Sequence, residues 1–232
     1  EPGFICPTDG LDYIQTPGYF GHMNLARPVF YIQYLATIMK ILRCVCIKCS
    51  KILIDKDKYS YLLNANNDER WQKVFAFASK KKRCGEDSQN GCGCLQPKLK
   101  KEGLATLIAE WNEKEESTEN TTLNADNKLI MKLVPELVIK ILRKISDEDV
   151  NFMGFSPIWS RPEWMICQTM AVPPPAVRPS VKHDAQQRSE DDLTHILINI
   201  IKANKTLQEK LEANSNANII DDWTTVLQYY VA

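Results

Sequence analysis

The side chains with the most chemistry to offer in this sequence are thiols. Eight are present: Cys6, Cys44, Cys46, Cys49, Cys84, Cys92, Cys94 and Cys167. Cys46-Ile-Lys-Cys49 has the two-residue gap that lets two thiolates share one tetrahedral ion. A second pair must come from farther along, and Cys84 and Cys92 supply it across a glycine-rich stretch. Four thiolates around one zinc would tie these stretches together, because metal-binding energy is then folding energy. Cys92-Gly-Cys94 places two sulfurs near the same point, so spacing leaves open which of Cys92 and Cys94 is the ligand. Cys44 is open in the same way, while Cys167 lies among apolar residues and reads as a core thiol. Disulfides would require a secreted chain. The sequence begins Glu-Pro-Gly rather than with a basic and then apolar leader, which favours metal binding. An opening without Met and a close in the apolar run 226–232 are expected of a piece of something longer.

Other chemistry finds little support. His22, His183 and His195 are scattered, and His195 falls inside a helical pattern. No glycine-rich phosphate cradle and no Ser/His/Asp arrangement is present. Asp191-Asp192 and Asp221-Asp222 are explained by helix capping rather than by magnesium. No catalytic residue is expected.

Formal net charge is zero, so no overall basic field announces a nucleic-acid partner. Basic runs occur at Lys80-Lys81-Lys82-Arg83 and at Lys98, Lys100 and Lys101, with acid clusters at 113–116 and 190–192. Each taken alone reads as a solvated face. The longest apolar stretch, 29–45, is interrupted by Gln33, Lys40 and Arg43 and falls short of the roughly 20 residues of a membrane helix. Sequons at Asn120 and Asn204 carry no meaning in an intracellular chain.

The elements that must position the thiols follow from periodicity and punctuation. Residues 1–27 read as loop. Pro28 suits a first helical position, and Tyr31, Tyr34, Leu35, Ile38, Met39 and Leu42 recur at helical spacing. Residues 52–54 predict a short strand, and Asp68 caps a helix to about Lys81. The 84–97 stretch is loop, 103–111 a strand, 112–128 a polar insert and 129–133 a strand. Pro135 opens a helix through Ile145, and Ser146 with Asp149 caps a short one that Gly154 ends. The proline-rich 157–179 stretch predicts extended chain, with no central strand or helix interior at its prolines. Residues 180–189 read as loop. Two helices then meet at a tip over 214–218, an antiparallel hairpin.

Several segments resemble, in order, the largest subunit of eukaryotic-type, RNA polymerase II-like DNA-directed RNA polymerases. They are Pro17-Gly-Tyr-Phe-Gly-His-Met-Asn-Leu-Ala-Arg-Pro-Val-Phe30, the run 41–51 around Cys46 and Cys49, and Cys92-Gly-Cys-Leu-Gln-Pro97. Phe155-Ser-Pro-Ile-Trp-Ser-Arg-Pro-Glu-Trp-Met165, Val172-Pro-Pro-Pro-Ala-Val-Arg-Pro-Ser180 and Arg188-Ser-Glu-Asp-Asp-Leu-Thr194 complete the series. The resemblance covers nearly the whole chain. It implies an α+β fold, mainly helical with short strands: a zinc-stabilised clamp head plus an antiparallel helical hairpin. Its implied domains are 1–172 (clamp head and core), 173–190 (proline-rich segment and lid loop) and 191–232 (clamp helices).

The resemblance also places one zinc on Cys46, Cys49, Cys84 and Cys92, and nucleic-acid contact on Arg178, Lys182 and Arg188 at the lid. The enzyme's magnesium would be bound outside these residues. Other polymerase subunits, DNA and RNA, and initiation and elongation factors are the implied partners, with no membrane. The nucleus is the implied location, or a viral factory or virion for a viral lineage. Such subunits carry a second zinc site of three cysteines and a histidine, whose positions here read Cys6, Asp9, Thr16 and Tyr19. One thiolate cannot hold the ion, so that site is expected to be empty. Two rival readings are a non-enzymatic zinc-stabilised protein-interaction module and a stand-alone, redox-active zinc protein.

Overall fold

The structure is a computed structural model, and it describes all residues except 1–2, 13, 113–121, 124–127 and 183–187. The fold is mixed: six α-helices and eight strands in small antiparallel arrangements, among the described residues. The chain separates into two compact units, one of residues 28–167 and one combining 1–27 with 168–231.

The 28–167 unit holds the apolar core. Helix α1 (Leu35–Leu42) buries Leu35, Ile38, Ile41 and Leu42, the stripe its spacing predicts. Its start differs from the sequence expectation. Pro28 lies in strand β1 (Gly21–Phe30), and the helix begins after a single 3-10 turn, Ile32–Tyr34. β1 belongs to a sheet of only two strands, so its free edge tolerates a residue without an N–H. Residues 21–27, expected as loop, are part of that strand.

Helix α2 (Asn67–Ala78) is capped by Asn66, whose side chain accepts from Glu69 N at 2.8 Å, and not by Asp68. Strand β2 (Lys98–Glu102) was not legible, because its Lys-Leu-Lys-Lys-Glu composition reads as a solvated run. It pairs with β3 (Thr106–Trp111) as a hairpin. β4 (Thr122–Leu123) and β5 (Leu129–Lys132) complete a four-stranded sheet in the order β2-β3-β5-β4. Most of the predicted polar insert lies outside the described residues. Helix α3 (Pro135–Arg143) has Pro at its first turn, and α4 (Asp147–Phe152) is capped by Ser146 Oγ accepting from Asp149 N at 3.1 Å. Arg161 fastens this pair. Its guanidinium bonds Asp147 at 2.6 Å, Glu163 at 2.7 Å and the Ile145 carbonyl at 2.9 Å.

The proline-rich stretch is not uniformly extended coil. The proline-free run between Pro162 and Pro173 forms β6 (Ile166–Val172), paired with β1. Within the expected loop 180–189, the described ends also depart from loop, and 183–187 lie outside the described residues. β7 (Val181–Lys182) and β8 (Arg188–Ser189) pair antiparallel, with Lys182 opposite Arg188.

In the other unit, α5 (Asp192–Glu212) starts at an Asp191 cap, and α6 (Ala217–Val231) returns after a turn in which Asn214 has φ 48°. Asn204, 8% exposed, holds α5 to β1. Its Oδ1 accepts from Ala26 N at 2.7 Å and its Nδ2 donates to Asn24 O at 3.0 Å. Both ends of this sequon amide are therefore used by the fold.

Candidate metal centre

The first half of the centre is a tight knuckle at the end of α1. Val45 and Ile52 form an isolated antiparallel bridge, Cys46 N donates to Lys51 O at 2.8 Å, and Ser50 N donates to Cys46 O at 2.8 Å. This curls the chain so that Lys48 N points at Cys46 Sγ, 3.4 Å away. Ser50 sits at φ 61°, a conformation a non-glycine residue enters at a cost. Its buried Oγ offsets that by donating to the Ile141 carbonyl of α3 at 2.7 Å. Asp149 of α4, buried and ion-paired with Lys56 at 2.8 Å, accepts from Ile52 N at 3.3 Å and fixes the knuckle's exit.

The second half depends on two glycines. A Cβ on Gly91 would lie 2.2 Å from the backbone of Gly85, which itself has φ +87°. Only bare backbone at both points lets the 85–91 loop close and bring Cys84 and Cys92 together. Cys84 N donates to Cys94 O at 2.9 Å and Gly93 N to Cys84 O at 3.0 Å. The indole Nε1 of Trp111 donates to Leu95 O at 2.9 Å, tying this loop to the sheet.

Gln96 joins the two halves. Its Oε1 accepts from Ile47 N at 3.0 Å, and its Nε2 donates to Cys46 Sγ at 3.3 Å and Cys94 O at 2.9 Å.

The outcome is a cluster in which the Sγ atoms of Cys46, Cys49, Cys84 and Cys92 all lie within 4.8 Å of one another. Cys46 and Cys92 approach to 3.5 Å, Cys49 and Cys84 to 3.6 Å. Zn–S bonds of about 2.3 Å in a tetrahedron require S···S edges of about 3.8 Å, so these spacings suit that ion. Charge points the same way. The Cys46 thiol is held down at about 3, by the Cys94 thiol first and then by backbone N–H groups and Gln96 against the cost of burial. Burial pushes Cys49 and Cys84 up, and the Cys46 thiolate adds to the rise. Packed this closely without a cation, the sulfurs resist sharing negative charge; a divalent ion removes that conflict.

Cys94 is buried but is not one of the four; its Sγ lies 3.5 Å from Leu95 O. Cys44 is fully buried in the core and pushed up to about 12 by that burial. Cys167 is buried beside Tyr31, with which it hydrogen-bonds. Gln96 and Asp149 are the positioning residues that sequence reasoning missed. Neither type at those positions signals a partner dozens of residues away.

The three basic residues expected to meet nucleic acid lie in the other unit. Arg178 is engaged internally, Nε donating to Pro173 O at 2.9 Å and Nη1 to Thr194 Oγ1 at 3.3 Å. Lys182 and Arg188 are register partners in the β7–β8 ladder. Of the degenerate set, Asp9 Oδ2 accepts from Thr16 Oγ1 at 2.6 Å and Asp9 Oδ1 from Leu11 N at 2.9 Å.

Comparison with known proteins gives a consistent result. A family profile described as RNA polymerase Rpb1, domain 1, matches residues 1–232. The DNA-directed RNA polymerase II subunit RPB1 of Euplotoides octocarinatus is 40% identical over 242 residues. That alignment covers 100% of this chain and 48% of the relative, so the chain spans about half the length of the relative it matches.

Proposed function

Since the chain belongs to the RNA polymerase Rpb1, domain 1 family, we propose that it serves as the clamp region of the largest subunit of a DNA-directed RNA polymerase. In this reading it helps hold the DNA–RNA hybrid while nucleotidyl transfer is carried out elsewhere in the enzyme. The observation that carries the structural half of the proposal is the four-sulfur cluster, drawn from two distant stretches onto one point. Cys46, Cys49, Cys84 and Cys92 would hold one zinc, which supplies no reaction step but cross-links the end of α1 to the 84–97 loop. The clamp head then moves as one body. Arg178, Lys182 and Arg188 at the lid would meet phosphates without reading sequence. Nuclear location and partnership with the other polymerase subunits come with the same reading. Magnesium would be held by residues elsewhere in the enzyme.

A second role for α5 and α6 has its own support. Leu193, Ile196, Ile201 and Tyr229 are exposed apolar side chains on that hairpin, suited to docking transcription factors or neighbouring subunits. Charge reversal at Lys202, Lys205 and Lys210 separates the two roles: loss of factor binding with nucleic-acid binding retained assigns the hairpin to proteins.

Metal analysis of the purified chain tests the central claim. One zinc per chain is expected, with the thiols of Cys46, Cys49, Cys84 and Cys92 slow to alkylate until a chelator is added. A metal-free folded chain would sink it.

A further inference from the structure

Residues 5–12 repeat the backbone of the 45–52 knuckle bond for bond. Ile5 and Asp12 form an isolated antiparallel bridge at the separation of Val45 and Ile52. Cys6 N donates to Leu11 O at 2.9 Å, as Cys46 N does to Lys51 O. Gly10 N donates to Cys6 O at 2.9 Å, as Ser50 N does to Cys46 O. Even the left-handed residue recurs at the same offset: Gly10 has φ 71° and Ser50 φ 61°. A loop of this shape offers side chains at its first and fourth positions to one ion. In 46–49 both are thiols; in 6–9 the second is a carboxylate.

That carboxylate is already occupied. Asp9 Oδ2 takes the Thr16 hydroxyl at 2.6 Å and Oδ1 takes Leu11 N at 2.9 Å. The Thr16 hydroxyl first, and the Leu11 amide next, hold Asp9 below the usual carboxylate range, with Cys6 and Tyr19 adding to the effect. Thr16 and Tyr19 stand three residues apart, the spacing of Cys6 and Asp9. They are delivered by a turn in which Gln15 N and Thr16 N both donate to Asp12 O. Gly18 then lets the chain pass Pro174, where a Cβ would come within 2.6 Å.

We infer that residues 5–19 are a metal knuckle that folds without metal: Asp9 takes the place of the ion, and hydrogen bonds from the Thr16 hydroxyl and the Leu11 amide take the place of the coordinate bonds. The donor set does not fit zinc, since it offers one thiol, a hydroxyl, a phenol and a carboxylate that is spent on internal donors. Replacing a cation by an anion at the centre inverts what the surrounding groups must be. Ligands that give electron pairs to a metal become donors that give hydrogen bonds to a carboxylate.

Amide hydrogen exchange on the whole chain, with and without a strong chelator, is the test. Protection of the Gly10 and Leu11 amides is expected to be unchanged by chelation, while the Ser50 amide reports the second knuckle separately. Asp9→Ala is expected to speed exchange at Gly10 and Leu11 roughly fivefold to tenfold, the worth of one or two hydrogen bonds. A companion variant, Asp9→Cys with Thr16→Cys and Tyr19→His, is expected to take up one zinc more than the parent chain. Chelator-induced loss of protection at Gly10 and Leu11 would overturn the inference, as would Asp9→Ala leaving those amides unchanged. If the 46/49/84/92 cluster proved metal-free, the Ser50 amide would show it without altering the result for residues 5–19.

Discussion

Two knuckles with one backbone pattern, 45–52 and 5–12, differ in what lies at their focus. The first sits against the apolar core. Cys46 is fully buried, Ser50 is locked to α3, Asp149 of α4 holds the exit, and Cys84 and Cys92 are delivered from the 84–97 loop. The second is exposed at nearly every position, with Cys6, Asp9 and Thr16 only half-buried, and its partners come from the next ten residues of the same segment. The contrast teaches that the turn is a property of the backbone, while the cross-link is a property of the side chains. A burial-poor loop can close on hydrogen bonds. A cross-link between stretches dozens of residues apart must overcome a larger loop-closure entropy, and that calls for the strength of a metal.

The comparison breaks most visibly under loss of a ligand. On the proposed zinc site, Cys84→Ser would remove one of four coordinate bonds and is expected to release the ion. Since structural zinc carries on the order of 10 kcal/mol of apparent binding energy, the melting temperature should collapse and the 84–97 loop become protease-sensitive. Residues 5–12 should retain their amide protection throughout. A variant that kept both its metal and its melting temperature would show that Cys84 is not part of the cross-link.

A smaller effect comes from the left-handed positions. Ser50→Ala keeps the unfavourable φ of 61° and leaves the buried Ile141 carbonyl without its donor. A loss of about 1–3 kcal/mol is expected in denaturant unfolding. Ser50→Gly loses the same bond but relieves the backbone, so it should cost about 1 kcal/mol less. At the matching position, Gly10→Ala adds backbone strain alone, for nothing lies within 4 Å of its new Cβ. Equal costs for Ser50→Ala and Ser50→Gly would mean that the φ carries no strain.

The smallest effect is set by pH. Asp9 is lowered in the folded chain from 3.8, with the Thr16 hydroxyl as the largest cause and Leu11 N, Cys6 and Tyr19 adding to it. A depressed carboxylate contributes stability above its unfolded value and loses it as pH falls through the folded value. Local protection at Leu11 should therefore be flat from neutrality to about pH 4 and decline below it. In Asp9→Asn the decline should vanish.

Much of this was legible in residue types and spacing. The α1 stripe, the Pro135 and Ser146 helix starts, the 129–132 strand and the α5–α6 hairpin follow from local pattern, because apolar period and capping are decided within a few residues. Cys46-x-x-Cys49 announced a pair of thiols able to share a metal on the same local ground. The residues themselves offered Cys84 and Cys92 as the second pair, with Cys94 in contention with Cys92, and the resemblance selected Cys92. The charged β2 escaped because its partner β3, not its own composition, makes it a strand. Pro28 was misplaced because a two-stranded sheet offers an edge that sequence cannot announce.

What the sequence determined by itself is therefore the inventory: which thiols exist, which helices form, and which residue types stand at positions 9, 16 and 19. Tertiary structure alone decided that four sulfurs meet with Cys94 outside the set but beside Cys46, that Gly85 and Gly91 touch backbone to backbone, and that Asp9 accepts from Thr16 and Leu11. The physical reason is range. Propensity and capping act over one or two turns of chain, whereas a shared ion or a backbone contact depends on where distant segments come to rest.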